Sequence, residues 1–139
     1  MKSLLALLLA AACPLAMANP DYKSVPPSLQ KALHGTPLKS AAFETGVLRL
    51  TMDKPEVSEL VYATFIFHNI CREQWVNAQQ FNQFGLKRVE LLNRDGSQGF
   101  AFENRGDVCE QMGQLGKNYR SFIDQYTVKC TAGVCPGRP

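Results

Sequence analysis

Asp53–Trp75, DKPEVSELVYATFIFHNICREQW, carries the chain's one long apolar helical pattern, and every other element has to be packed around it. Asp53-Lys54-Pro55-Glu56 has the form of a helix start. An acidic side chain can accept from the free N–H groups of the first turn, proline is tolerated there, and a glutamate three residues on completes a capping box. From Val57 the positions Val57, Leu60, Val61, Thr64, Phe65, His68, Cys71 and Trp75 recur at three- or four-residue intervals, which is one helical face. Tyr62, Ile66, Phe67 and Ile70 make the segment apolar nearly all round, so it is expected to be covered on two sides. A buried strand over Leu60–Phe67 is the competing reading, and the length of the run favours helix. The uncharged part, Leu60 to Cys71, is 12 residues, against the roughly 20 needed to cross a bilayer.

The N-terminus reads as an address. Lys2 supplies the positive end, Leu4–Ala12 the apolar core, and Ala16-Met17-Ala18 a small-x-small cleavage site. Pro14 breaks the apolar helix ahead of that site, so cutting after Ala18 is expected, leaving Asn19–Pro139. The competing reading is a lipoprotein signal in which Cys13 is acylated and holds the protein on a membrane. Ala10 and Pro14 both fit that poorly. The alanine-rich leader is bacterial in style and no Asn-x-Ser/Thr acceptor occurs, so the expected location is the periplasm or outside the cell. Net charge is +3 over the chain, or +2 without Lys2. That excess gives no ground for a nucleic-acid or anionic-membrane partner.

With Cys13 removed, Cys71, Cys109, Cys130 and Cys135 remain. An even count in an exported chain implies two disulfides, with three possible pairings. Cys130 and Cys135 are separated only by Thr-Ala-Gly-Val, so a local loop closes easily, which leaves Cys71 for Cys109. The cysteines lack zinc-finger spacing, so no metal site is expected. No motif calls for a cofactor.

In order, 19–45 is a proline-punctuated arm containing one short helix, Ser28–His34, stopped by Gly35. Gly46–Asp53 alternates as a half-buried strand. Lys87–Asn93 and Gly99–Glu103 form a hairpin across Arg94-Asp95-Gly96-Ser97, with Val89, Leu91, Phe100 and Phe102 inward. Asp107-Val108-Cys109-Glu110 starts a helix that ends at Gly116, a second short helix follows over Tyr119–Tyr126, and 128–139 is a tail tied by Cys130 and Cys135. The expected class is α+β: one domain over 46–127 in the order strand-helix-strand-strand-helix. Its small antiparallel or mixed sheet carries helices packed on one face.

Ready-made catalytic templates are missing: there is no GxSxG, no HExxH and no phosphate-binding glycine loop. His34 and His68 could serve as base and acid of a small nuclease-like hydrolase, with Lys87 or Arg88 on the phosphate. Capping and core packing are the plainer roles for these two histidines. A bridged Cys71 cannot act as a nucleophile. Glu56 with Glu59, and Glu44 with Glu73, are carboxylate pairs, but nothing in the sequence sets either across a cleft. Lys87, Arg88, Arg94 and Arg105 could face an acidic partner, yet Glu90, Asp95 and Glu103 are interspersed among them.

The remaining feature is the uncharged stretch Gln74–Leu86, where Trp75, Phe81 and Phe84 stand among amides. Aromatic rings with adaptable hydrogen-bonding groups are typical of interface cores. The expectation is therefore a non-catalytic exported protein that binds another macromolecule, such as an inhibitor or immunity-type factor or an envelope accessory. Trp75, Phe81 and Phe84 would be its anchors, with Gln79, Gln80, Asn82 and Gln83 supplying hydrogen bonds to a protein partner. The plain alternative is that the three rings belong to the core.

Overall fold

A computed structural model describes residues 20–137; the expected leader and cleavage site, with Cys13, lie outside the described residues. The chain is α+β. Its six strands are β1 (Asp21–Lys23), β2 (Leu38–Glu44), β3 (Val47–Met52), β4 (Arg88–Leu92), β5 (Gln98–Glu103) and β6 (Thr127–Thr131), and they lie side by side in that order. The sheet is mixed: β1 and β2 are parallel, as are β3 and β4, and the other neighbours are antiparallel. Helix α1 (Pro27–Leu33) joins β1 to β2. Between β3 and β4 run α2 (Glu59–Phe65), a π-helical segment (Ile66–Cys71), α3 (Arg72–Val76) and α4 (Ala78–Gln83). Between β5 and β6 come α5 (Val108–Gln114), a short 3₁₀ turn and α6 (Tyr119–Asp124). The helices cover one face of the sheet, because Leu48, Leu50, Val89, Leu91, Phe100 and Phe102 project there and are buried with Tyr62, Phe65, Ile66 and Ile70.

The expected hairpin forms as read. Asp95 accepts from the backbone N and the hydroxyl of Ser97 at 3.1 and 2.6 Å. These bonds hold the Asp95 carboxyl below its ordinary pKa, the hydroxyl contributing most. The β2–β3 turn, by contrast, places Thr45 and Gly46 both at positive φ, the geometry of a tight two-residue hairpin loop. Gly46 is needed there on two counts, since a Cβ would also stand 2.8 Å from the Gly85 carbonyl oxygen.

The sheet reaches beyond 46–127 at both ends. The supposed arm supplies β1, α1 and β2, and the supposed tail supplies β6. The alternation in β2 is hidden by a register shift between Leu38 and Ser40, a bulge that puts Leu38 and Ala41 on the buried side at odd spacing. Strand β1 has only three residues, and β6 is an edge strand that carries the exposed Lys129.

The central helix also differs from its pattern. It starts at Ser58, whose Oγ accepts from Val61 N at 3.2 Å, and not at Asp53. Asp53 is taken by Arg94, whose Nε donates at 2.8 Å. Residues 55–57 are held away from helix by side chains of the hairpin. Asn93 Nδ2 donates to the Pro55 carbonyl at 3.0 Å, and the Gln98 amide clasps Val57 through both its backbone N (2.9 Å) and its carbonyl (2.8 Å). Farther along, the wider π turn advances the helix surface relative to a 3.6-residue repeat. The buried set is consequently Tyr62, Phe65, Ile66, Ile70 and Cys71, whereas Leu60, Val61, His68 and part of Trp75 reach solvent.

Two disulfides form, Cys71–Cys109 and Cys130–Cys135. Such bridges belong with an oxidising compartment and not with the reducing cytosol. The first ties the π segment to α5. The second pins the end of the chain back over the other face of the sheet, where Leu92, Ala101 and Cys130 form a small buried cluster with Val128 and Cys135 against it. Among the described residues no helix is long and apolar enough to cross a membrane.

Candidate functional site

Trp75 is held at the surface by two contacts to α5. Its Nε1 donates to the Cys109 carbonyl at 2.8 Å, and its ring lies over Gly113, where a Cβ would come 3.2 Å from the indole. Both contacts are to α5, the helix that the Cys71–Cys109 bridge ties to the turn just before Trp75. The bridge therefore fixes the surface on which the indole rests, while 37% of the residue stays exposed. Phe67 meets Trp75 edge to face at 5.1 Å and stacks on Tyr119 at 4.0 Å. His68 touches the edge of Phe67 at 4.9 Å. Val76, 67% exposed, follows Trp75 on α3, and Leu115, 38% exposed, caps α5. Trp75, Phe67, Tyr119 and His68 form an aromatic cluster built on the π segment, α3 and the start of α6.

The aromatic–amide stretch does not act as one unit. Asn77, at φ −129° and ψ 49°, interrupts the helix between α3 and α4. Beyond that break Phe81 turns into the core with 2% exposure, so it is a packing residue and not an exposed anchor. Phe84 is half-buried, packed against the core and edge-on to Phe81 at 6.2 Å. Gln79, Gln80, Asn82 and Gln83 face solvent along α4. Trp75 is separated from them by the break and is joined instead to Phe67 and Tyr119, whose spacing in sequence reads simply as core. The uncovered sides of an all-round apolar helix were the available signal for Phe67.

A cleft of about 270 Å³ opens beside this surface, between the end of α1 and the π segment with α3. Lys31, Ala32 and His34 line one wall; His68, Asn69, Arg72, Glu73 and Val76 line the other. Asn69 Nδ2 donates to the Ala32 carbonyl at 2.9 Å and ties the walls together. His68 is thus a surface residue shared by the aromatic patch and the cleft, not a core histidine. The structure brings His34 and His68 to one opening, although no hydrogen bond to another side chain orients either imidazole among the described residues.

The other constellations resolve into structural roles. Arg88 lies between Glu90 and Glu103, with Nε 3.6 and 3.4 Å from their carboxylates, and Arg49 donates to Glu90 at 3.2 Å. The two longer contacts are ion pairs without hydrogen-bond alignment. The C-terminal segment closes over this ladder, as Arg88 donates to the Pro136 carbonyl at 2.6 Å and Arg49 to that of Gly133 at 3.4 Å. Arg88 and Arg94 are therefore occupied, and of the four cations only Lys87 and Arg105 stay without an ion pair among the described residues. Glu56 and Glu59 border a wide groove of about 750 Å³, where Glu59 pairs with Lys129 at 3.6 Å. Glu73 accepts from Asn77 Nδ2 at 2.7 Å, and Glu44 stands at the end of β2. Among the described residues no cluster of three His, Cys, Asp or Glu side chains could hold a metal, and the four cysteines are bridged.

No known protein family, curated protein or solved structure matches this chain. Its function is therefore read from the surface itself.

Proposed function

We propose that this is an exported, non-catalytic protein that works by binding another protein through the surface centred on Trp75. The observation that carries the reading is the immobilised indole. It is hydrogen-bonded to Cys109, rests on Gly113, is flanked by Phe67, and keeps 37% of its surface exposed, with the exposed Val76 next to it in sequence. A contact residue already fixed before binding loses little side-chain entropy on association, and tryptophan is the residue type most often found at the energetic centre of an interface. Export follows from the leader pattern and suits the two disulfides. An inhibitor or immunity-type factor, or an envelope accessory, is the concrete form such a protein takes.

Tagged wild-type protein and a Val76→Asp variant, each used to capture partners from an envelope extract, test the reading. Val76 is largely exposed, so the variant keeps the melting temperature. The reading expects a protein held by wild type and lost at least tenfold in the variant. Equal capture by both refutes it.

A second reading, a small nuclease-like hydrolase, is favoured by the meeting of His34 and His68 in one cleft with Lys31 and Arg72. One imidazole would act as base and the other as acid. It ranks below the first because neither imidazole is oriented by a hydrogen bond to another side chain among the described residues, as a catalytic base ordinarily is. RNA or phosphodiester hydrolysis that disappears in His34→Ala and in His68→Ala would establish it.

A further inference from the structure

The cleft between α1 and the π segment has a composition that neither the aromatic surface nor the core explains. We propose that it binds a phosphate group, either free phosphate or the terminal monoester of a larger molecule. His68 and Arg72 are four residues apart on the wall facing α1, and Lys31 and His34 stand opposite at the end of that helix. Four side chains able to donate N–H groups thus arrive at one opening from two independent elements. Lys31 and Arg72 make no ion pair among the described residues, unlike Arg49, Arg88 and Arg94. The single carboxylate at the site, Glu73, is drawn to Asn77 at 2.7 Å.

Lys31 by itself is accounted for by its place in the last turn of α1, where a cation meets the negative end of the helix dipole. That argument does not reach Arg72 or the imidazole of His68, which come from another helix. Donors converging from both walls suit the tetrahedral oxygens of a phosphate better than one planar carboxylate, which a single arginine fork would satisfy. The bond from Asn69 to the Ala32 carbonyl fixes the distance between the walls, so the opening exists before a ligand enters.

The test is a titration of the uniformly ¹⁵N-labelled protein with inorganic phosphate, with glycerol phosphate and with acetate, followed by amide chemical shifts. Saturable shifts confined to the segments around 31–34 and 68–73 are expected with phosphate or glycerol phosphate. A response to both identifies a site for phosphate as such, and a response to glycerol phosphate alone identifies a monoester site. Arg72→Gln and Lys31→Gln should each weaken binding at least tenfold, while Lys117→Gln, at an exposed cation elsewhere, leaves it unchanged. Non-saturating shifts, shifts spread over the surface, equal binding of acetate, or an equal effect of Lys117→Gln would overturn the proposal. Val76 borders this cleft as well, so the two readings are separated by Arg72→Gln, which should lose phosphate binding and keep partner capture.

Discussion

Replacing Cys71 and Cys109 together by alanine should cost far more stability than replacing Cys130 and Cys135. The first bridge spans 38 residues of sequence and the second only 5. In the chain-entropy description, cross-linking restricts the unfolded ensemble in proportion to the logarithm of loop length. That gives about 3.9 kcal/mol for the long loop and about 2 kcal/mol for the short one at 25 °C. Both Cys71 and Cys109 are fully buried, so removing their sulfurs adds a small packing loss in the same direction. Urea unfolding followed by circular dichroism measures each difference against wild type. At roughly 4 °C per kcal/mol for a domain of this size, the two double variants should melt about 15 and about 8 °C below wild type. Equal losses, or a larger loss for Cys130→Ala with Cys135→Ala, would refute the claim that the Cys71–Cys109 bridge is the main staple of the helical layer.

Three further outcomes follow from single residues. Tyr62 is buried against Phe100, and its hydroxyl bonds Thr127 Oγ1 at 2.8 Å, while Thr127 in turn donates to the Ile123 carbonyl. Burial raises the Tyr62 pKa far above its ordinary value of 10.0, so the unfolded chain ionises first. Stability is intact below about pH 10 and then falls by up to about 1.4 kcal/mol per pH unit; Tyr62→Phe should flatten that alkaline limb in urea titrations. Gly99→Ala would drive a Cβ into the Leu91 carbonyl of the neighbouring strand, and thermal melts should show a loss of about 3 kcal/mol or no folded protein. Ser58→Ala removes the cap that fixes where α2 begins, and should cost about 1 kcal/mol in the same assay.

Where local chemistry alone determines structure, the sequence was readable. The Asp95-Gly96 hairpin, strands β3, β4 and β5, α1 with its Gly35 stop, and both cystine pairs follow from residues close together or from cysteine spacing. The start of the central helix did not follow. The signal at Asp53-Lys54-Pro55-Glu56 is real locally, but it is overridden by Asn93, Arg94 and Gln98, about 40 residues away, which take the backbone and carboxylate that the cap would have used. Strand β2 was obscured by its bulge, and β6 by the polar residues that an exposed edge requires. In the candidate site, the sequence marked Trp75 as an aromatic among uncharged neighbours and left interface and core both open. Its separation from Phe81 was not legible, since that depends on the break at Asn77. The approach of His34 to His68 depends on how α1 packs, which no periodicity encodes.

Trp75 is the chain's one tryptophan, so its fluorescence reports on the proposed contact surface without a label. Acrylamide quenching of the free protein should be intermediate, as 37% exposure requires. Once the captured partner is added, that quenching should fall towards the value of a buried indole. Quenching that stays the same in the complex would place the partner elsewhere and contradict the account.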